Sequence, residues 1–139
     1  MIILDTNVIS ELMKVNATPE VIHWVASYPS QELFTTTITQ AEILYGLAIL
    51  PKGKRKNDLE QAAHQMFEEE FKNRVLPFNQ AAAISFSQIA AKRRQIGKPI
   101  SQADAQIAAI AKSRDAVVAT RNVSDFEECQ LSLINPWTG

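Results

Sequence analysis

Asp5, Glu42, Asp104 and Asn122 are four oxygen-bearing side chains spread over a chain of 139 residues. Each stands where a helix is expected to begin, in the segments Leu4-Asp5-Thr6-Asn7, Thr39-Gln40-Ala41-Glu42, Ser101-Gln102-Ala103-Asp104 and Thr120-Arg121-Asn122. Gathered by a fold, three carboxylates and an amide make a pocket of hard oxygen donors. Such a pocket suits a divalent cation such as Mg²⁺, which is usually held by one or two carboxylates with water and substrate phosphate completing its shell. The chemistry it implies is metal-assisted attack on a phosphodiester.

Helix capping explains each residue taken singly. Asp5 suits the N-cap of a helix beginning near Asn7. Thr39-x-x-Glu42 fits a capping box, and Ser101-x-x-Asp104 is its aspartate form. Asn122 is a further N-cap candidate, with Ser124 and Asp125 as local competitors. Helical phase argues for more in two cases. Glu42 lies one turn from Tyr45 and Gly46 and two from Ile49; Asp104 lies one turn from Ile107 and Ala108 and two from Ala111. Both are expected beside an apolar stripe, where an unpaired carboxylate is costly. No Lys or Arg at the same phase supplies a partner.

The elements that must position these groups alternate between strand and helix. Ile2-Ile3-Leu4 reads as a strand buried on both faces. Helices are expected over Asn7 to Met13, from Pro19 after Thr18, and from Ile38 with Ala41, Leu44, Tyr45 and Ala48 recurring. Leu33 to Thr36 is β-prone, and Leu59 to Phe71 is expected to be helical. Val75 to Phe78 suits an edge strand because of Pro77. Helices follow over Ala81 to Ile96, stopped by Gly97, and from Ser101, with Ala103, Ile107, Ile110 and Ala111 inward. Ala116 to Thr120 and Leu131 to Ile134 complete the strands. The pattern predicts an α/β fold, a single-domain α/β/α sandwich over residues 1–139 with a mostly parallel central sheet. Functional groups in such sheets collect beyond the carboxyl ends of the strands. That places Asp5, Glu42 and Asn122 on one edge and leaves Asp104 to be brought in by packing.

Composition narrows the classes. A hydrophobic content of 46% suffices for a core without staples. Net charge is -1, so any nucleic-acid role needs local basic patches. The candidates are Lys52, Lys54, Arg55 and Lys56, and Lys92, Arg93, Arg94 and Lys98, both more ordinary as solvated surface. Cys129 is the only cysteine, which excludes an internal disulfide and suits the cytoplasm. The N-terminus lacks the basic region of a signal peptide, and no apolar run is long enough for a membrane span. Trp24 and Trp137 fit packing or a dimer contact better than base stacking.

Four segments in order resemble one family. Met1-Ile2-Ile3-Leu4-Asp5-Thr6-Asn7-Val8-Ile9-Ser10-Glu11, Thr37-Ile38-Thr39-Gln40-Ala41-Glu42, Ser101 to Ala109 and Val118-Ala119-Thr120-Arg121-Asn122 are similar to the PIN-domain toxins of type II toxin–antitoxin systems. Asn135-Pro136-Trp137 matches the C-terminal signature of the VapC/FitB-type branch. The resemblance implies a PIN fold and an endoribonuclease dependent on Mg²⁺ or Mn²⁺. It implies a cognate antitoxin that blocks the site, contact with operator DNA only through that antitoxin, and a homodimer. Asp5, Glu42 and Asp104 match the family's acids, with Asp5 and Asp104 as metal ligands. Asn122 stands where many relatives carry aspartate, and Asp125 could compensate. Thr6, Thr120 and Arg121 would steady the site. Carboxylates so close should raise the pKa of at least one of them in the metal-free protein. Two alternatives stay open: a non-catalytic PIN-like module whose acidic pocket receives a partner's arginine, and a receiver-like phosphoacceptor domain.

Overall fold

Ile2–Leu4 form β1 in the computed structural model, which describes residues 1–139. All three are buried, and their alternation divides the core in two. Ile2 and Leu4 join Leu33 and Ala119 on one face; Ile3 joins Leu76 and Val118 on the other. β2 (Leu33–Thr36) and β4 (Val117–Ala119) flank β1, with β3 (Val75–Leu76) and β5 (Leu133–Ile134) outermost. The order is β3-β2-β1-β4-β5 and every pair is parallel. In register, Ile3 lies opposite both Phe34 and Val118.

Parallel neighbours require crossover connections, and these are helical except between β4 and β5, where a short turn at Val123–Phe126 serves. α1 (Thr6–Leu12), α2 (Pro19–Ala26), α3 (Thr37–Ala48) and α4 (Lys54–His64) supply core residues to one face. α5 (Gln80–Gln95) and α6 (Gln102–Ser113) supply the other, where Ile107 to Ala111 are all buried. This is the α/β/α sandwich that the alternation of strand and helix predicts. No helix is long and apolar enough to cross a membrane.

Three local expectations are corrected. α3 starts at Thr37, directly from β2, because the Thr36 hydroxyl accepts the Thr39 N–H at 3.1 Å. The Thr39–Glu42 capping box therefore does not form, and Glu42 falls in the second turn. The phase of α3 differs too. Thr39, Ile43 and Leu47 are buried, whereas Leu44, Tyr45 and Ile49 are exposed, as is Glu42. A helix apolar on nearly every side shows no single stripe, and the direction in which β2 delivers the chain decides which side is buried. The third correction is α4, which begins at Lys54 and absorbs part of the basic connection. It passes into a π-helical stretch, Gln65–Glu70, where the Phe71 N–H donates to Met66 O at 2.9 Å. The wider turn rotates the helix enough to bury Met66, Phe67 and Phe71.

Smaller differences have similar causes. Pro19 opens α2 as expected, but Thr18 does not cap it; the Thr18 N–H and hydroxyl both donate to Glu11 Oε2, at 2.9 and 3.1 Å. Val21 is buried while Ile22 is exposed. α5 is capped by Asn79, which accepts the Ala82 N–H, and Gly97 follows it with φ +76°. Trp24 and Trp137 pack against the first core cluster, Trp24 also lying 4.9 Å from the Tyr28 ring.

Candidate active site

The backbone of Asp5 is extended at φ -67° and ψ 164°, and its Oδ1 accepts the Thr6 N–H at 2.8 Å. Asp5 is thus the N-cap of α1, as its position after β1 suggests. Capping occupies one carboxylate oxygen only. The other, Oδ2, accepts the Thr120 hydroxyl at 2.8 Å from the end of β4. Thr120 Oγ1 in turn accepts the Asn122 N–H at 3.0 Å and an Asn7 amide hydrogen at 3.3 Å. The same Asn7 nitrogen lies 3.3 Å from Asp5 Oδ2, and Asn7 Oδ1 accepts the Arg121 N–H. Two adjacent strand ends are tied together through one carboxylate.

Glu42 arrives from α3. The Thr6 hydroxyl donates to its Oε1 at 2.7 Å, and Thr6 Oγ1 lies 3.0 Å from Thr39 Oγ1. Thr6 has one hydroxyl proton, so Thr39 is the donor of that second bond. Asp104 arrives from the first turn of α6, which packs on α3. Ser101 caps that turn by accepting the Asp104 N–H at 3.2 Å. The Ser101-x-x-Asp104 capping pattern is present, and the capped turn also presents the Asp104 carboxylate.

Electrostatics link the three acids. Burial pushes Asp5 from 3.8 up to about 6; the Thr120 and Thr6 hydrogen bonds oppose this, and the charges of Asp104 and Glu42 reinforce it. Asp104 is raised as well, first by burial, against the Ser101 hydrogen bond, with Asp125 and Glu42 adding repulsion and Arg93 relieving part of it. The only salt bridges in the protein are Lys14–Glu11 and Lys54–Asp58, so Asp5, Glu42 and Asp104 have no cationic side chain as partner.

Asn122 is exposed, and its side chain makes no hydrogen bond, so it does not cap the short turn Val123–Phe126 that follows. Asp125 lies in that turn and is near enough to act on Asp104. Arg93, read from sequence as part of a basic surface, is buried instead. It donates to the carbonyls of Lys98, Asp125 and Glu127 at 2.6, 3.0 and 2.9 Å and so fastens the Asp125 turn to α5. Sequence reasoning assigns Asn7 no role in the site and reads Thr39 only as a helix cap. The signal for Asn7 was its place two residues after Asp5, where an Asx side chain reaches a neighbouring strand end.

The donor set fits a hard divalent cation. Its oxygens are carboxylates and hydroxyls, no salt bridge neutralises its acids, and its central member is buried. No three acidic, histidine or cysteine side chains converge closely enough to enclose an ion by themselves. That is compatible with Mg²⁺, which keeps several waters and shares its shell with substrate phosphate.

Comparisons with known proteins agree with this geometry. The PIN domain family model matches residues 2–129. The chain is 40% identical to "VapC ribonuclease Y4jK" of Sinorhizobium fredii, over 99% of this chain and 98% of that protein. It is 38% identical to "Toxin FitB" of Neisseria gonorrhoeae, over 99% of both. Among solved structures, "Structure of FitAB bound to IR36 DNA fragment" superposes with a TM-score of 0.91 at 38% identity, covering 99% of this chain and 96% of that one. With the family model matched over residues 2–129 and two relatives 40% and 38% identical over nearly their whole length, the chain belongs to the PIN-domain family, in the branch of the VapC- and FitB-type toxins.

Proposed function

We propose that this protein is the toxin of a type II toxin–antitoxin pair, a PIN domain over residues 1–139 that acts in the cytoplasm as a metal-dependent endoribonuclease. The observation that carries the reading is that Asp5, Glu42 and Asp104 converge closely enough for their charges to repel, with no salt bridge to any of them. Asp5 and Asp104 would hold Mg²⁺, with Mn²⁺ able to replace it. When bound, the cation supplies a lowered pKa for water and neutralises charge gathering on the phosphate. Glu42, aimed by the 2.7 Å bond from Thr6, would complete the shell or orient the attacking water. Thr120 and Asn7 hold the Asp5 carboxylate in one orientation. Asn122 and Asp125 stand at the fourth position, Asn122 offering a neutral oxygen and Asp125 a charge. In-line attack would leave a 5′-phosphate and a 3′-hydroxyl.

The partners proposed are an RNA substrate, a cognate antitoxin that neutralises the enzyme, a second copy in a homodimer, and operator DNA reached through the antitoxin. A second reading, a binding module without catalysis, draws on the neutral, exposed Asn122. Cleavage of a mixed tRNA and mRNA panel by antitoxin-free protein separates the two, with Mg²⁺, Mn²⁺ and EDTA compared and Asp5→Asn alongside. Discrete cuts that need metal and vanish in Asp5→Asn support the nuclease. A folded protein that cuts nothing under either metal supports the binding module.

A further inference from the structure

Arg93 is only 6% exposed, although it lies beside the exposed Arg94 on α5, and no carboxylate pairs with it. Burying a guanidinium without a carboxylate is costly unless other acceptors meet its donors. Carbonyls meet them here, and they come from two separate segments. Nε donates to Lys98 O at 2.6 Å, in the connection that leads from α5 into α6. Nη1 donates to Asp125 O and Glu127 O at 3.0 and 2.9 Å and lies 3.7 Å from Cys129 Sγ. The first segment delivers Asp104 and the second carries Asp125. A planar guanidinium is a rigid fork, so it holds the two segments at a fixed spacing.

The second segment depends on such a hold. Of the turn Val123–Phe126 only Phe126 is buried. Just beyond it, Glu128 and Gln130 adopt φ +62° and +56°. Those left-handed values are unfavourable for residues with a side chain and persist where the surroundings impose them. α6, in contrast, is capped by Ser101 and anchored along Ile107 to Ala111. The turn packs against α6 and is the looser of the two partners. The charges of Arg93 and Asp125 both reach Asp104, so the arrangement borders the acidic site.

We propose that Arg93 is the positioning residue of the fourth acid: its guanidinium clasps the Val123–Phe126 turn to the lead-in of α6, so that the Asp125 carboxylate stands beside Asp104. The inference rests on the metal-dependent nuclease reading and adds to it the residue that makes Asp125, on an otherwise weakly anchored turn, available to Mg²⁺. Arg93 acts through the backbone of that turn and touches neither cation nor RNA.

The test measures Mg²⁺ binding by calorimetry and, in EDTA, hydrogen exchange of the Asp125 and Glu127 amides. The Asp5 amide, which donates to Ala119 O within the sheet, is the internal reference. Wild type is compared with Arg93→Met, Arg93→Lys, Asp125→Asn and the double variant Arg93→Met/Asp125→Asn. Arg94→Met removes an exposed charge from the same stretch of helix and is the control, expected to match wild type. Methionine is a good helix former, and thermal melts confirm folding. Arg93→Met should speed exchange at Asp125 and Glu127 but not at Asp5, and weaken Mg²⁺ binding several-fold. In the Asp125→Asn background the same substitution should change Mg²⁺ binding by less than about twofold, because coupled residues are not additive. Arg93→Lys keeps the charge and loses the fork, so it should resemble Arg93→Met in both readouts; it carries the test if Arg93→Met does not fold. Equal weakening in both backgrounds would mean that Arg93 does not act through Asp125 and would overturn the proposal. So would unchanged exchange in Arg93→Met, or Mg²⁺ affinity that fails to follow the exchange rate across the Arg93 variants. If wild type binds no Mg²⁺ and cuts no RNA, the nuclease reading falls; faster exchange at the turn in Arg93→Met would still support the clasp, and unchanged exchange would remove it as well.

Discussion

The Thr120 hydroxyl donates to Asp5 Oδ2 at 2.8 Å across a sequence separation of 115 residues. Burial raises this carboxylate and the bond from Thr120 holds it down, the balance lying at about 6. Thr120→Val removes it without changing shape much, and should move the Asp5 pKa further up. The check is the pH profile of Mg²⁺-dependent cleavage. Its acidic limb should shift to higher pH by about one unit, because a neutral–charged hydrogen bond of this kind contributes about 1.5–3 kcal/mol. A profile that falls in amplitude without shifting would mean that Thr120 acts only on geometry.

Asp5 also sets a stability trade-off. Its folded pKa of about 6 lies above the ordinary 3.8, so the native state binds the proton more tightly than the unfolded chain. Between those two values stability falls as pH rises, by about 3 kcal/mol in the metal-free protein. Asp5→Asn keeps acceptors and donors near their partners but removes the charge. It should abolish cleavage and yet raise the melting temperature in EDTA at pH 7.5, with the gain shrinking toward pH 4. Added Mg²⁺ should stabilise wild type and leave Asp5→Asn unmoved. An equal gain at both pH values would show that charge is not its cause.

The fourth position can be assigned by charge. Asp125 repels Asp104 in the free protein, whereas Asn122 is neutral, exposed and without a side-chain hydrogen bond. Asp125→Asn should weaken Mg²⁺ binding several-fold, read by calorimetry, and Asn122→Ala should change it less than twofold. Asn122→Asp should tighten it. The reverse ranking would place Asn122 on the cation and Asp125 outside it.

Glu11 bears on stability apart from the acidic site. It is buried, and it accepts the Thr18 N–H, the Thr18 hydroxyl and Lys14, which hold its pKa below the ordinary 4.5. A depressed acid stabilises above the unfolded pKa and loses that contribution as pH falls through its folded value. Glu11→Ala leaves the Thr18 donors unpaired and should cost about 1–3 kcal/mol by urea denaturation at pH 7. Glu11→Gln should lose less, and the gap between wild type and Glu11→Gln should narrow below pH 4.

How much of this was legible in sequence follows from what each residue answers to. Ile2-Ile3-Leu4 is buried on both faces and carries no polar residue, so its run alone marks a central parallel strand. Asp104 is expected beside an apolar stripe, and α6 does bury Ile107 and Ala108 one turn on and Ala111 two turns on. The stripe expected beside Glu42 is not the buried one: α3 is apolar on two sides, and only β2 decides that Ile43 rather than Tyr45 is buried. The π-helical stretch was invisible, since a five-residue hydrogen-bond step leaves no mark in composition. Arg93 looked like surface because a buried arginine satisfied by three carbonyls depends on loops distant in sequence. Asn7 and Thr120 were hard to rank for the same reason, their importance lying in each other and in Asp5.

The strand order β3-β2-β1-β4-β5 puts the first strand to leave the ribosome at the centre of the sheet, with one side waiting for residues 117–119. Domains fold as units during synthesis, from the N-terminus. Here the early half of the chain carries Asp5 and Glu42, but the hydroxyl that fixes Asp5 and the helix that brings Asp104 are made late. A truncated or still-growing chain therefore has half of a pocket and no β4 to close it. The connectivity acts as a timer: Asp5 and Glu42 are made early, and they become a site only once α6 and β4 have followed.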